Sequence, residues 1–137
     1  MKVCGFLAAV MLAACATGSA LVAPQRLAGC WINRDVGAAR MRWSESADGG
    51  LAGVKTTFGI AGANITERYR LSPSESGWRL CHVDRSERCW DVAQGEGGSL
   101  TGGRAFIDGG GDYARIAVIG DGPERVIFQG RRESCPN

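Results

Sequence analysis

Between Ser76 and Ala93 the chain reads SGWRLCHVDRSERCWDVA, a stretch that holds two of the four tryptophans, the sole histidine and a close cysteine pair. A three-residue hairpin loop over Asp84, Arg85 and Ser86 sets Cys81 opposite Cys89 in an antiparallel register. The same register faces Leu80 with Trp90 and Trp78 with Val92 on one side of the ribbon, and brings Arg79 to Asp91 on the other. One side is then apolar, while the other carries an opposite-charge pair beside a disulfide. That is the pattern of a half-buried sheet.

Similar short segments recur along the chain. Leu27 to Asn33 (LAGCWIN) reads as a first strand, and Ala39 to Glu45 alternates Ala39, Met41 and Trp43 against Arg40, Arg42 and Ser44. Leu51 to Ile60 places its apolar phase on Ala52, Val54, Phe58 and Ile60. Asn64 to Leu71 sets Ile65, Glu67, Tyr69 and Leu71 against Thr66, Arg68 and Arg70. After the central hairpin come Leu100 to Ile107, Tyr113 to Ile119 and Arg125 to Gly130, separated by turns at Gln94 to Gly98, Asp108 to Asp112 and Gly120 to Gly122. With 21 glycines but only 4 prolines, and no amphipathic helical period, this is an all-β composition. A chain of 137 residues suits one domain. The expected fold is a single antiparallel up-and-down barrel of about eight strands, whose closure removes exposed edges. A two-sheet sandwich is the alternative.

The amino terminus stands apart from this pattern. Lys2 precedes an apolar run from Val3 to Ala14 that is too short to span a bilayer as a helix, as in a secretory leader. Leu12-Ala13-Ala14-Cys15 resembles the lipobox of bacterial lipoproteins. That resemblance implies cleavage before Cys15 and acylation of its sulfur, with residues 1–14 as signal peptide, 15–25 as lipidated tether and 26–137 as the barrel domain. Ordinary cleavage after Ala20 is the alternative. Each acyl CH₂ buried in lipid contributes about 0.8 kcal/mol, so the implied partner of Cys15 is a membrane. Ala16 stands where an aspartate would resemble an inner-membrane retention signal, which favours the periplasmic side of the outer membrane.

Six cysteines become four once Cys4 is removed and Cys15 is modified. In an oxidising compartment an even set points to disulfides. The hairpin register pairs Cys81 with Cys89, and exclusion then pairs Cys30 with Cys135. Cys81, His82, Asp84 and Cys89 are also zinc-ligand types, but residues 81 and 82 face opposite ways on a strand and there is no Cys-x-x-Cys unit. No metal and no cofactor is expected. Basic and acidic residues number 16 and 14, and removal of Lys2 leaves 15 against 14 without a basic stripe, so nucleic acid is not an expected partner.

The order LAGCW at 27–31, MRW at 41–43, GGLAG at 49–53 and GDYARI at 111–116 resembles a family of bacterial proteins with lipocalin-like barrels. Family members open Leu-Ala-Gly-(Thr/Cys)-Trp and later show His-Asp-Phe-Pro-x-Arg-Ile. Asp112, Arg115 and Ile116 match that last motif, whereas Gly111 and Ala114 replace its histidine and proline. The resemblance implies a barrel but no settled activity.

Candidate chemistry is sparse. His82, Asp84 and Ser86 run up to and around a turn and do not converge as a triad must, and the glycine clusters open no helix after a strand. An enzyme is therefore not expected. Glu67 lies in phase with Ile65, Tyr69 and Leu71, so it needs a cationic partner or water, with Arg115 a candidate. Two readings follow. In one, an interior lined by Trp43, Tyr69, Trp78 and Trp90, with Glu67 as polar contact, holds a small apolar or amphipathic ligand. In the other, a filled barrel serves a structural or protein-interaction role, for example as an envelope protease inhibitor, through the outer arginines Arg40, Arg42, Arg68 and Arg70.

Overall fold

The computed structural model describes residues 24–35, 37–59, 62, 64–75, 77–84, 87–92, 104–109, 111–120 and 122–136. Cys15 and the rest of the expected leader and tether up to residue 23 lie outside them, as does the segment 93–103. A 3-10 turn over Pro24–Leu27 leads into β1 (Gly29–Asn33), β2 (Ala39–Glu45), β3 (Leu51–Thr57), β4 (Ile65–Ser74) and β5 (Gly77–His82). β6 (Arg88–Val92), β7 (Arg104–Gly109), β8 (Tyr113–Ile119) and β9 (Arg125–Glu133) follow. Each strand neighbours its successor and β9 returns to β1, so one sheet closes on itself and the sandwich alternative falls.

The barrel departs from the expected all-antiparallel plan in one seam. β6 and β7 run parallel through Asp91↔Arg104 and Val92↔Ala105, whereas every other neighbouring pair is antiparallel. The strand count requires this. With nine strands in sequence order, strict alternation would leave the first and last running the same way. One parallel seam restores the parity and lets β9 pair antiparallel with β1. Parallel neighbours need a crossover longer than a hairpin turn, and residues 93–103 separate these two.

The central hairpin has the expected register, with Arg79↔Asp91, Leu80↔Trp90 and Cys81↔Cys89, although pairing stops at His82↔Arg88 and leaves a connection longer than three residues. Both expected disulfides are present, Cys81–Cys89 across the hairpin and Cys30–Cys135 beside the β1–β9 seam.

Trp31, Met41, Trp43, Leu51, Tyr69, Leu71, Leu80, Trp90, Ile116 and Phe128 form one contiguous buried cluster inside the wall. β3 enters it in the phase opposite to the expected one. Leu51 and Gly53 face inward, while Ala52 and Val54 face solvent. The reason is steric: Gly53 sits opposite Trp43 in register, and a Cβ there would come within 2.6 Å of the indole. Hydropathy gives a glycine no inward preference, but the Trp43 ring needs its missing side chain. In the β8–β9 pairing the register slips between Ile116 and Ala117 of β8, which makes Ile127 of β9 a bulge residue. Ile127 and Phe128 are consequently both buried.

Candidate functional site

The β1–β2, β3–β4, β5–β6 and β8–β9 connections meet at one end of the barrel, here the upper end, opposite the 3-10 turn. The inward-facing ends of β3, β4 and β5 bring polar groups to this mouth. Lys55, opposite Glu67 in register, places Nζ 2.9 Å from Glu67 Oε2. The same ammonium donates to the carbonyl of the bulge residue Ile127 at 2.9 Å, so the bulge supplies an acceptor that a regular ladder would have used. Tyr69 donates its hydroxyl to Glu67 Oε1 at 3.2 Å, and its ring lies 4.8 Å from that of His82. Nε2 of His82 is buried without a hydrogen-bond partner among the described residues, 3.7 Å from Glu67 and 3.6 Å from Asp84.

Partial burial opposes ionisation of Glu67, but the hydrogen bond and charge of Lys55, aided by Tyr69 and His82, outweigh it and hold the carboxyl below its ordinary value. Burial, reinforced by the Glu67 charge, pushes the Tyr69 phenol well above its ordinary value. Glu67 is thus a fixed anion and Tyr69 a fixed donor at neutral pH. The expected partner Arg115 is not involved; it pairs with Glu124. β8 turns Ala114, Ile116 and Val118 into the core and leaves Arg115 in the opposite phase.

Next to this cluster a cleft of about 610 Å³ opens between β6 and the β8–β9 connection. Trp90, Val118, Pro123 and Val126 supply its apolar lining, and Arg88, Glu124 and Arg125 its charge. Arg88 lies over the Trp90 ring, 5.6 Å from its centroid. Val126, an exposed apolar residue, also borders a smaller cleft of about 280 Å³ beside Lys55 and Ile127.

The five expected ligand contacts do not form one interior pocket. Trp43 is packed in the lower half of the core and Tyr69 is packed below the mouth, with exposures of 2% and 3%. Trp78 is the second residue of β5, at the lower end, partly buried against the core and opposite Pro73. Only Glu67, Tyr69 and Trp90 reach the upper end, Trp90 as cleft lining. The sulfurs of Cys81 and Cys89 are spent on each other, so the candidate zinc set lacks its thiolates. Ser86 lies outside the described residues.

Of the outer arginines, Arg40 pairs with Glu133, Arg68 with Asp84 and Arg70 with Glu87. Sequence reasoning missed Lys55, Arg88 and Arg125 as mouth residues. The inward phase of β6, which the hairpin register already set through Trp90, carried the signal for Arg88. The bulge that turns the end of β9 left no trace in residue order. Neither the family models nor the curated proteins nor the solved structures include a match to the chain.

Proposed function

We propose that the protein is a lipid-anchored envelope protein whose lipocalin-like barrel is a rigid scaffold, with a seat for a small amphipathic ligand at its upper mouth. The Trp90 cleft carries this reading: its volume of about 610 Å³ lies in the range of small-molecule sites, and it joins an apolar lining to fixed charges. The filled core argues for a seat at the mouth over one deep inside.

Two further observations support an anchored, extracytoplasmic protein. Both disulfides are of the kind that persists in an oxidising compartment. The amino-terminal segment joins the barrel at the lower end, where Arg132 donates to the carbonyls of Arg26, Ala28 and Gly111. A lipid on Cys15 would hold that end to the membrane and turn the mouth away from it.

The test is native mass spectrometry of protein extracted gently from envelopes. A bound small molecule that is lost from a Trp90→Ala, Val126→Asp variant supports the seat. Protein that is always free of ligand, and whose fluorescence does not respond to amphiphiles, overturns it. Mass measurement of the mature amino terminus tests the anchor; a chain beginning at Leu21 without acyl mass removes it. The filled core also suits a protein-interaction role. Against that role, three of the four outer arginines named for it, Arg40, Arg68 and Arg70, already hold carboxylates.

A further inference from the structure

We infer that the upper cleft selects an amphiphile with an anionic oxygen head, a carboxylate or a phosphate, and that Arg88 and Arg125 are the head-group contacts. This rests on the reading of the Trp90 cleft as the ligand seat and names what the seat accepts.

Charge matching around the mouth carries the inference. The carboxylates of the β4, β5–β6 and β8–β9 segments at the mouth each hold a cation. Glu67 holds Lys55 at 2.9 Å, Asp84 holds Arg68 at 3.6 Å, Glu87 holds Arg70 at 2.6 Å, and Glu124 holds Arg115. Arg88 and Arg125 line the cleft and have no carboxylate within ion-pair distance among the described residues. Among the described residues, the cleft is therefore left with two guanidinium groups that no carboxylate pairs. Glu124, its sole described acidic lining residue, is already neutralised from outside.

Placement strengthens the case. The Arg88 guanidinium lies within cation–π range of the Trp90 ring, 5.6 Å from its centroid, and an arginine held there can meet a planar or tetrahedral oxyanion through paired hydrogen bonds. Arg125 stands on β9 across the cleft, opposite Val118 in register, and its charge is felt by the Tyr69 phenol. Val126, 42% exposed, stands beside Arg125 with Pro123 and offers an apolar wall to the rest of the ligand. A head between two arginines and a tail on Val126 and Pro123 describes an anionic amphiphile.

The experiment is calorimetric titration of the folded, disulfide-bonded protein with four probes below their micelle concentrations: decanoate, dodecyl phosphate, dodecyl maltoside and dodecyltrimethylammonium. Tighter binding of decanoate or dodecyl phosphate by tenfold or more over the neutral and cationic probes is expected, and the better of the two identifies the head. Competition by inorganic phosphate would place recognition on the head alone. Arg88→Gln with Arg125→Gln should remove the preference of the anionic probes over dodecyl maltoside, Arg88→Lys with Arg125→Lys should keep part of it, and Arg42→Gln should change nothing. Near-ultraviolet circular dichroism confirms that each variant is folded. Equal binding of all four probes overturns the anion preference but leaves the seat. Binding of none overturns both.

Discussion

The six-membered ring of Trp43 covers Gly53 on the neighbouring strand so closely that Cζ3 would lie 2.6 Å from a Cβ at position 53. Trp43 is 2% exposed and held on all sides, so it cannot swing away. Gly53→Ala should therefore destabilise the barrel by about 1–3 kcal/mol, the cost of overpacking a filled core. Urea midpoints measure it. A Trp43→Phe background should absorb part of the loss; a Gly53→Ala variant as stable as the parent would mean that the ring has room to move.

Arg132 is largely exposed, yet it is the tie at the barrel's lower end. Its guanidinium donates to the carbonyls of Gly111 at 3.0 Å, Ala28 at 3.1 Å and Arg26 at 2.9 Å, and lies 4.1 Å from the Trp31 ring centroid. Gly29, at φ +123°, leaves the space into which Nη1 reaches. Lysine cannot reproduce a planar fork that serves three acceptors. Arg132→Lys should cost about 1–3 kcal/mol, close to Arg132→Ala. If lysine restores full stability, the three hydrogen bonds are dispensable. Amide exchange at Ala28 and Gly29 would report local loosening before global unfolding.

The alternation of Ala39, Met41 and Trp43 announced β2, and the Cys81/Cys89 register announced the β5–β6 hairpin, because both signals are local and period two carries them. Closure and parity are global properties. Nothing in a single segment states that nine strands will close or that β6 and β7 must run alike. The inward phase of β3 was misread because the deciding residue, Gly53, contributes by what it lacks. Among the mouth residues, Glu67 stood out as a charge in an apolar phase, whereas Lys55 was hidden by the same misread phase. Ile127 was hidden by the bulge. Placing Trp43 and Trp78 with Trp90 in one pocket failed because residues that share the inward face are still spread along the barrel axis.

Glu67 makes stability depend on acid in a predictable direction. Its folded carboxyl titrates below the ordinary value of 4.5, so its ionised form favours the folded state. That contribution is complete above the ordinary value and is lost as pH falls through the lowered folded one. The gap in urea midpoint between the parent and Glu67→Gln should be constant from about pH 7 to 5 and should shrink toward about pH 3. A gap that widens on acidification would remove the Lys55 pairing as its cause. Tyr69 acts on the opposite limb: its phenol is raised above 10.0, so its contribution is held below that value and declines as pH rises beyond it. Tyr69→Phe should flatten that decline.

The two disulfides should differ in what they contribute. Cys81–Cys89 spans 8 residues of a hairpin already held by its own ladder, whereas Cys30–Cys135 spans 105 residues and fastens the tail beyond β9 to β1. Loop-closure entropy assigns about 2.6 kcal/mol to the short bridge and about 5 kcal/mol to the long one. The positions of the two bridges point the same way, since β1–β9 is the seam on which closure of the wall depends, and opening it exposes the edges of two strands. Replacement of Cys30 and Cys135 by serine should therefore lower the thermal midpoint more than replacement of Cys81 and Cys89, and should increase aggregation on heating. Light scattering recorded with the melting curve separates the two effects. An equal or reversed order of midpoints would show that the β1–β9 ladder closes the barrel without its covalent clip.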